Sequence, residues 1–111
     1  MADVAADRVV VVLTTVATED DAQRIARALV ERRLAACVNV LPGVRSIYRW
    51  QDAVQDDREL LLVVKTSSDR QAALTAALGE LHPYEVPEIV ALDAAFVAPA
   101  YARWLLDAVR A

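Results

Sequence analysis

Most of the side chains in this sequence that could do chemistry lie in one heptapeptide. Residues 82–88 read His-Pro-Tyr-Glu-Val-Pro-Glu and include the only histidine and two of the 4 prolines of the 111-residue chain. Imidazoles and carboxylates serve as general acids, general bases and metal ligands. Because a proline fixes its own φ and disfavours helix at the preceding residue, we expect this segment to be a stiff, extended connector between a helix and a strand.

Three roles are open to His82. The ring could bond backbone atoms at the end of the preceding helix, act as a general acid or base, or bind a metal ion. Acid or base chemistry would need Glu85 to orient the ring, but the two side chains point to opposite faces of an extended segment. At ~3.3 Å per residue, His82 and Glu88 would lie ~20 Å apart, so further metal ligands must come from elsewhere, such as Cys37 or another subunit.

The single cysteine, Cys37, lies in the apolar stretch 36–41. In such a setting a cysteine usually behaves as a small buried hydrophobe, although Cys37 and His82 form the only thiol and imidazole pair available. One cysteine cannot form an internal disulfide, so nothing indicates an oxidising compartment. We therefore predict a cytoplasmic protein.

Several functional classes lack their signatures. The 2 glycines, Gly43 and Gly79, are too far apart for a phosphate-binding loop, and no Gly-x-Ser-x-Gly motif accompanies the histidine. We predict that the protein is not an enzyme. A net charge of −4 argues against a nucleic-acid partner. Arginines and aromatics do mix in residues 45–50, but the neighbouring strands lack aromatics. The longest apolar runs have five residues, so we expect no membrane segment.

Hydrophobic periodicity predicts the element order β-α-β-β-α-β-α. Strands are expected at 8–16, 36–50 with a bulge or bend at Pro42-Gly43, 60–66 and 89–92, and residues 51–57 are expected to form a turn. Helices are expected from an N-cap at Thr18 to about Arg33, from a Ser68 and Gln71 capping box through Leu81, and from Pro99 onward.

This order is that of a ferredoxin-like βαββαβ sandwich of the α+β class, with a long hairpin between the second and third strands and an extra C-terminal helix. The length fits one domain over residues 8–111, after a loose acidic terminus at 1–7. With 57% hydrophobic residues and with Tyr48 and Trp50 on a protruding hairpin, the chain should cover apolar surface by association. We expect the strand edges and the hairpin to pack against neighbouring subunits.

Four motifs, in this order and spacing, together resemble the CutA divalent-cation tolerance proteins. They are Arg-Leu-Ala-Ala-Cys-Val-Asn-Val at 33–40, Tyr48-Arg49-Trp50, Val64-Lys65-Thr66, and Leu-His-Pro-Tyr-Glu-Val-Pro-Glu at 81–88. The resemblance implies a ferredoxin-like protomer in a tight homotrimer of the bacterial cytoplasm, linked to tolerance of copper and other divalent cations. Carried over by position, the metal-related residues implied are Cys37 and His82.

Three functional hypotheses follow. The first is a trimer that binds Cu(II) or a similar divalent cation weakly through His82 and nearby oxygen ligands. The second is a regulatory trimer that senses a small molecule in clefts between subunits, as the similar PII signal-transduction proteins do. The third is an enzyme that uses His82 with Tyr84 or Lys65. A PII-like sensor would carry a long basic loop, whereas the predicted turn at 51–57 is short and acidic, which favours the first hypothesis.

Overall fold

A four-stranded antiparallel sheet forms the centre of the structure, a computed structural model that describes residues 8–111. The prediction for residues 1–7 lies outside the described part. The elements are β1 (Val9–Val16), α1 (Glu19–Glu31), β2 (Cys37–Trp50), β3 (Ala53–Ser67), α2 (Gln71–Leu81), β4 (Val90–Asp93) and α3 (Pro99–Ala108). The strand order is β2-β3-β1-β4. This confirms the predicted ferredoxin-like α+β sandwich with a long hairpin and a further C-terminal helix.

One face of the sheet carries the core. Alternate residues of β1, including Val12 and Val16, are fully buried against α1 and α2, and their partners across β3 are Val64 and Leu60. Each fully buried aliphatic side chain stabilises the fold by roughly 1.5–3 kcal/mol. The same cluster includes Ile25, Leu29, Leu74 and Leu78 from the two helices.

The opposite face, here called the open face, is only partly covered. Helix α3 lies over one end of it, where Leu105 is fully buried and the Lys65 Nζ lies 5.9 Å from the centre of the Tyr101 ring. Near the edge of the sheet, Val90 and Leu92 of β4 remain exposed. Isolated exposed apolar side chains are ordinary, but several on one face indicate a surface that is covered by something else.

The hairpin of β2 and β3 is longer and more regular than the sequence pattern predicts. The register shifts between Leu41 and Val44, which confirms the predicted bulge, and Gly43 there has φ +76°. The turn contains only Gln51 and Asp52, both with positive φ, as in the tight turns whose twist matches paired strands. The predicted turn at 51–57 is therefore wrong beyond residue 52: residues 55–57 are polar because this part of the arm is accessible to solvent, not because the chain turns.

The helix ends follow local capping chemistry, with one exception. Thr18 caps α1, since its Oγ1 accepts from the Asp21 N–H at 3.1 Å, and Pro99 lies in the first turn of α3 as predicted. The capping box predicted for α2 is wrong. That helix begins at Gln71 after Arg70, because the Arg70 N–H donates to the Ser67 carbonyl at 3.1 Å and closes a turn just before it.

Candidate ligand-binding site

His82 ends α2 and is buried, with 7% of its surface exposed. Its N–H still donates to the Leu78 carbonyl at 2.9 Å, while its own backbone is already extended, at φ −75° and ψ 133°. This is the transition that Pro83 imposes, because a residue before proline avoids the helical region. The histidine is thereby placed beside the end of β1.

Both ring nitrogens of His82 are engaged. Nε2 lies 2.9 Å from the carbonyl oxygen of Thr15, and Nδ1 lies 3.2 Å from the backbone nitrogen of Tyr84. A carbonyl can only accept and an amide N–H can only donate, so these contacts assign the neutral tautomer that carries its proton on Nε2. The arrangement matches the first of the three roles considered for His82, a histidine that bonds backbone atoms at a helix end.

Two residues farther along the chain, the ring of Tyr84 packs on the imidazole of His82. The two ring centres lie 4.7 Å apart at an interplanar angle of 53°, and the Tyr84 hydroxyl donates to Glu59 Oε2 at 2.7 Å. Burial, and then this hydrogen bond, raise the pKa of the Tyr84 hydroxyl well above its usual range. The chain bends at residues 84–86, so the prediction of one straight extended connector is wrong there. The bond to His82 Nδ1 is part of that bend.

Cys37 lies far from this group. It is half-buried at the start of β2, opposite Lys65, which in turn pairs with Val11 of β1. His82 contacts Thr15, which lies four residues, or ~13 Å, beyond Val11 along β1. Cys37 is therefore separated from the contact point of His82 by that length of strand and by the distance across two pairs of strands. The structure does not bring the two predicted ligands together. Among residues 8–111, no group of three or more His, Cys, Asp or Glu side chains could hold a metal ion. Their assignment as metal ligands stays a prediction.

A cleft of about 810 Å³ lies between the hairpin arm and the segment after His82. Both hydrogen-bond partners of His82, Thr15 and Tyr84, belong to its wall. The other lining residues are Ser46, Ile47, Tyr48, Trp50, Asp57, Glu59, Glu85, Val86, Pro87 and Glu88.

Strand alternation explains how the arm builds this wall. Ser46, Tyr48 and Trp50 share one face of β2, as their spacing predicts, and the register places Asp57 directly opposite Ser46. The Tyr48 hydroxyl donates to Asp57 Oδ2 at 2.5 Å, and this bond raises the pKa of Tyr48. Sequence reasoning missed Asp57 and Glu59 as site residues. A turn placed at 51–52 would have put both carboxylates on the face of Trp50.

The fold defines a class, the ferredoxin-like α+β proteins with an extended hairpin arm. Within that class, residues 10–108 match the family model described as CutA1 divalent ion tolerance protein. The chain belongs to this family.

Three relatives illustrate the similarity. The divalent-cation tolerance protein CutA of Thermus thermophilus is 56% identical over 97 residues, which cover 87% of this chain and 94% of the relative. A solved structure from the same organism superposes with a TM-score of 0.86 at 54% identity, covering 89% and 96% of the two chains. A solved structure from Archaeoglobus fulgidus, described as a periplasmic divalent cation tolerance protein CutA, superposes with a TM-score of 0.88 at 28% identity. The match covers 92% of this chain and 99% of the other.

The names of these relatives refer to tolerance of divalent cations and not to a reaction. The chain spans about half the length of some animal relatives, for example 51% of the mouse protein CutA. Within residues 8–111, every helix is too short or too polar to cross a membrane.

Proposed function

We propose that this protein is a homotrimeric divalent-cation tolerance protein that binds Cu(II), or a similar divalent ion, weakly through His82. The observation that carries the proposal is the position of Nδ1. Among the described residues, its lone pair accepts only from the Tyr84 N–H, at 3.2 Å, and both partners of the ring line a cleft that contains carboxylate oxygens. An ion that takes Nδ1 must displace that N–H, which is consistent with weak binding. Affinity should be higher for Cu(II) than for Zn(II).

Calorimetric titration of Cu(II) into the wild type, His82→Gln and Cys37→Ser tests this proposal. We expect the His82 substitution to lower the affinity at least tenfold and the Cys37 substitution to leave it unchanged, because a thiolate is preferred by Cu(I) and not by Cu(II). Since the chain has 1 histidine, Cu(II) should also broaden one set of imidazole proton resonances selectively in the wild type. Equal copper affinity in all three proteins would mean adventitious surface binding.

The trimer, the compartment and the absence of catalysis belong to the same proposal. Exposed apolar side chains on the open face, such as Leu92, support association into a trimer. A continuous core from β1 to α2 supports one working domain over residues 8–111. We further propose a cytoplasmic location and no enzymatic activity. Sedimentation equilibrium tests the trimer, and fractionation of the producing cells tests the cytoplasmic location.

A second candidate function is a PII-like regulatory trimer that senses a small molecule. The cleft favours it, since a volume of about 810 Å³ is within the range that holds drug-sized and metabolite-sized ligands. Titration with compounds of different charge, followed by protein NMR, would locate binding at the Tyr48 and Tyr84 rings. Shifts restricted to other surfaces would exclude this second function.

A further inference from the structure

The lining of the cleft is acidic, and the residues of the described part of the chain that form it include no basic side chain. Four of its residues are carboxylates, namely Asp57, Glu59, Glu85 and Glu88, and none is lysine, arginine or histidine. Asp57, Glu85 and Glu88 are exposed and Glu59 is buried, and all four line a cleft that also contains aromatic rings. A ligand that enters this cavity meets negative charge on the arm and on the segment that follows α2.

The basic residues of the arm lie on its other face. Arg45 pairs across the strands with Arg58, and its guanidinium bonds Asp56 at 2.6 and 2.8 Å. Adjacent strand residues point to opposite faces, so Asp57 points away from both arginines. Because side chains alternate along the two strands, the arginines of the arm lie on one face and Asp57 lies on the other. The face that lines the cleft therefore carries no basic side chain of the arm.

Glu59 is the most telling of the four carboxylates, since only 9% of its surface is exposed. Among residues 8–111, no lysine or arginine lies within ion-pair distance of Glu59 or Asp57; each accepts instead from a tyrosine hydroxyl. Buried carboxylates are normally paired, because removing a charge from water is costly. A cation in the cleft would supply the missing partner.

The aromatic walls indicate what kind of cation fits. Tyr48, Trp50 and Tyr84 line the cavity, and the faces of such rings attract ammonium and guanidinium groups as well as apolar surface. A metal ion held by the carboxylates alone would need several of their oxygens at one point, and no three acidic or metal-ligating side chains among residues 8–111 converge in that way. The lining suits a larger cation whose charge contacts carboxylates while its body lies on the rings.

We propose that the cleft binds a small organic cation, an amine or guanidinium group carried on an apolar body. The inference rests on the second candidate function, that the cleft binds a small molecule, and it names the chemical class of that molecule. The carboxylates of Glu59 and Asp57 are its charge partners, and Tyr48 and Trp50 pack against its apolar part.

Three probes of similar shape test the inference: phenethylamine as the cation, 2-phenylethanol as the neutral compound and phenylacetate as the anion. The full-length protein is titrated with each and followed by NMR and calorimetry. We expect saturable binding of phenethylamine alone, weakened by added salt. Asp57→Asn and Glu59→Gln should each lower its affinity about tenfold. Asp52→Asn is the matched control, because it removes the same charge at the tip of the arm, outside the cleft, and should change nothing.

Each contrary result has its own meaning. Binding of the neutral or anionic probe at the same residues, with no preference for the amine, would overturn the organic-cation inference and leave a small-molecule sensor standing. Absence of binding by all three probes would overturn both. Equal amine affinity in Asp57→Asn, Asp52→Asn and the wild type would place binding elsewhere and overturn the inference. Should Glu59→Gln fail to fold, the exposed Asp57 still decides the outcome.

Discussion

The hydroxyl of Tyr84 donates to Oε2 of Glu59 over 2.7 Å and so ties the segment after α2 to the third strand. Burial and this bond raise the pKa of Tyr84, so the hydroxyl should stay protonated at a pH where an exposed tyrosine, with a pKa of ~10, ionises. We expect Tyr84→Phe to leave the rise in absorbance at 295 nm between pH 9 and about 11 unchanged; a smaller rise in the variant than in the wild type would contradict the assignment.

The raised pKa of Tyr84 should make the free energy of unfolding fall as the pH becomes alkaline. The folded state holds the Tyr84 proton more tightly than the unfolded chain does, so this contribution is complete below ~10 and is lost as the pH rises towards the folded pKa. Urea unfolding at pH 8 and about 11 should therefore show a smaller loss of stability in Tyr84→Phe than in the wild type. At pH 8 the substitution should cost about 1 kcal/mol, because Glu59 loses a donor.

Two buried threonines should respond oppositely to the same substitution. Within residues 8–111 the buried hydroxyl of Thr14 has no hydrogen-bond partner, whereas that of Thr66 donates to the Leu34 carbonyl at 2.7 Å. Replacing threonine by valine keeps the shape and removes the hydroxyl. We expect Thr14→Val to stabilise the protein by about 1 kcal/mol and Thr66→Val to destabilise it by about 1–3 kcal/mol, measured by urea unfolding. Losses of equal size at both sites would show that Thr14 has a partner.

The two glycines should likewise differ. Gly43 has φ +76°, a conformation that side chains rarely adopt, while Gly79 lies within α2, and an added Cβ meets nothing within 4 Å at either. Gly43→Ala should cost roughly 1–2 kcal/mol through backbone strain alone. Gly79→Ala should stabilise by roughly 0.5–1 kcal/mol, since alanine favours helix. Thermal unfolding of both variants measures the difference; a neutral Gly43→Ala would mean that the bulge can relax.

Association of subunits through the open face can be tested by introducing one charged side chain there. Leu92 on that face and Val30 on α1 are similarly exposed, at 48% and 42%. If subunits meet on the open face, Leu92→Glu should lower the oligomer mass in sedimentation equilibrium at micromolar concentration, because it would place a carboxylate in an apolar interface. Val30→Glu should not change the mass. A monomeric wild type, or an unchanged mass for Leu92→Glu, would contradict this arrangement.

Most of the fold could be predicted because the hydrophobic pattern of most elements fits either a helix or a strand and not both. The short run of β-branched valines in β1 favours a buried strand, and the stripe that includes Ile25 and Leu29 favours a helix for α1. The hairpin arm was harder to predict, since polar residues dominate 51–57 and resemble a turn. The proline-rich segment could be singled out by its composition, but the hydrogen-bond partner of Tyr84, Glu59, could not be found without the register of β3.

The cleft could not be predicted from the sequence, and the reason is physical. Its walls are joined by contacts between distant residues, such as Tyr84 with Glu59 and His82 with Thr15. Periodicity describes the face on which a residue lies, but not which face of another element it meets. The separation of Cys37 from His82 has the same origin, because it depends on how three strands are aligned.

The pairing of β1 implies an order of folding. The arm joins residues across a two-residue turn, so its local contacts can form within about 1–10 μs. By contrast, β4 pairs with β1 from the opposite end of the chain, with Asp93 beside Val10, and closing so long a loop delays that pairing. During synthesis, the apolar edge of β1 stays unpaired until β4 has been made. We expect nascent chains that stop before β4 to aggregate through that edge.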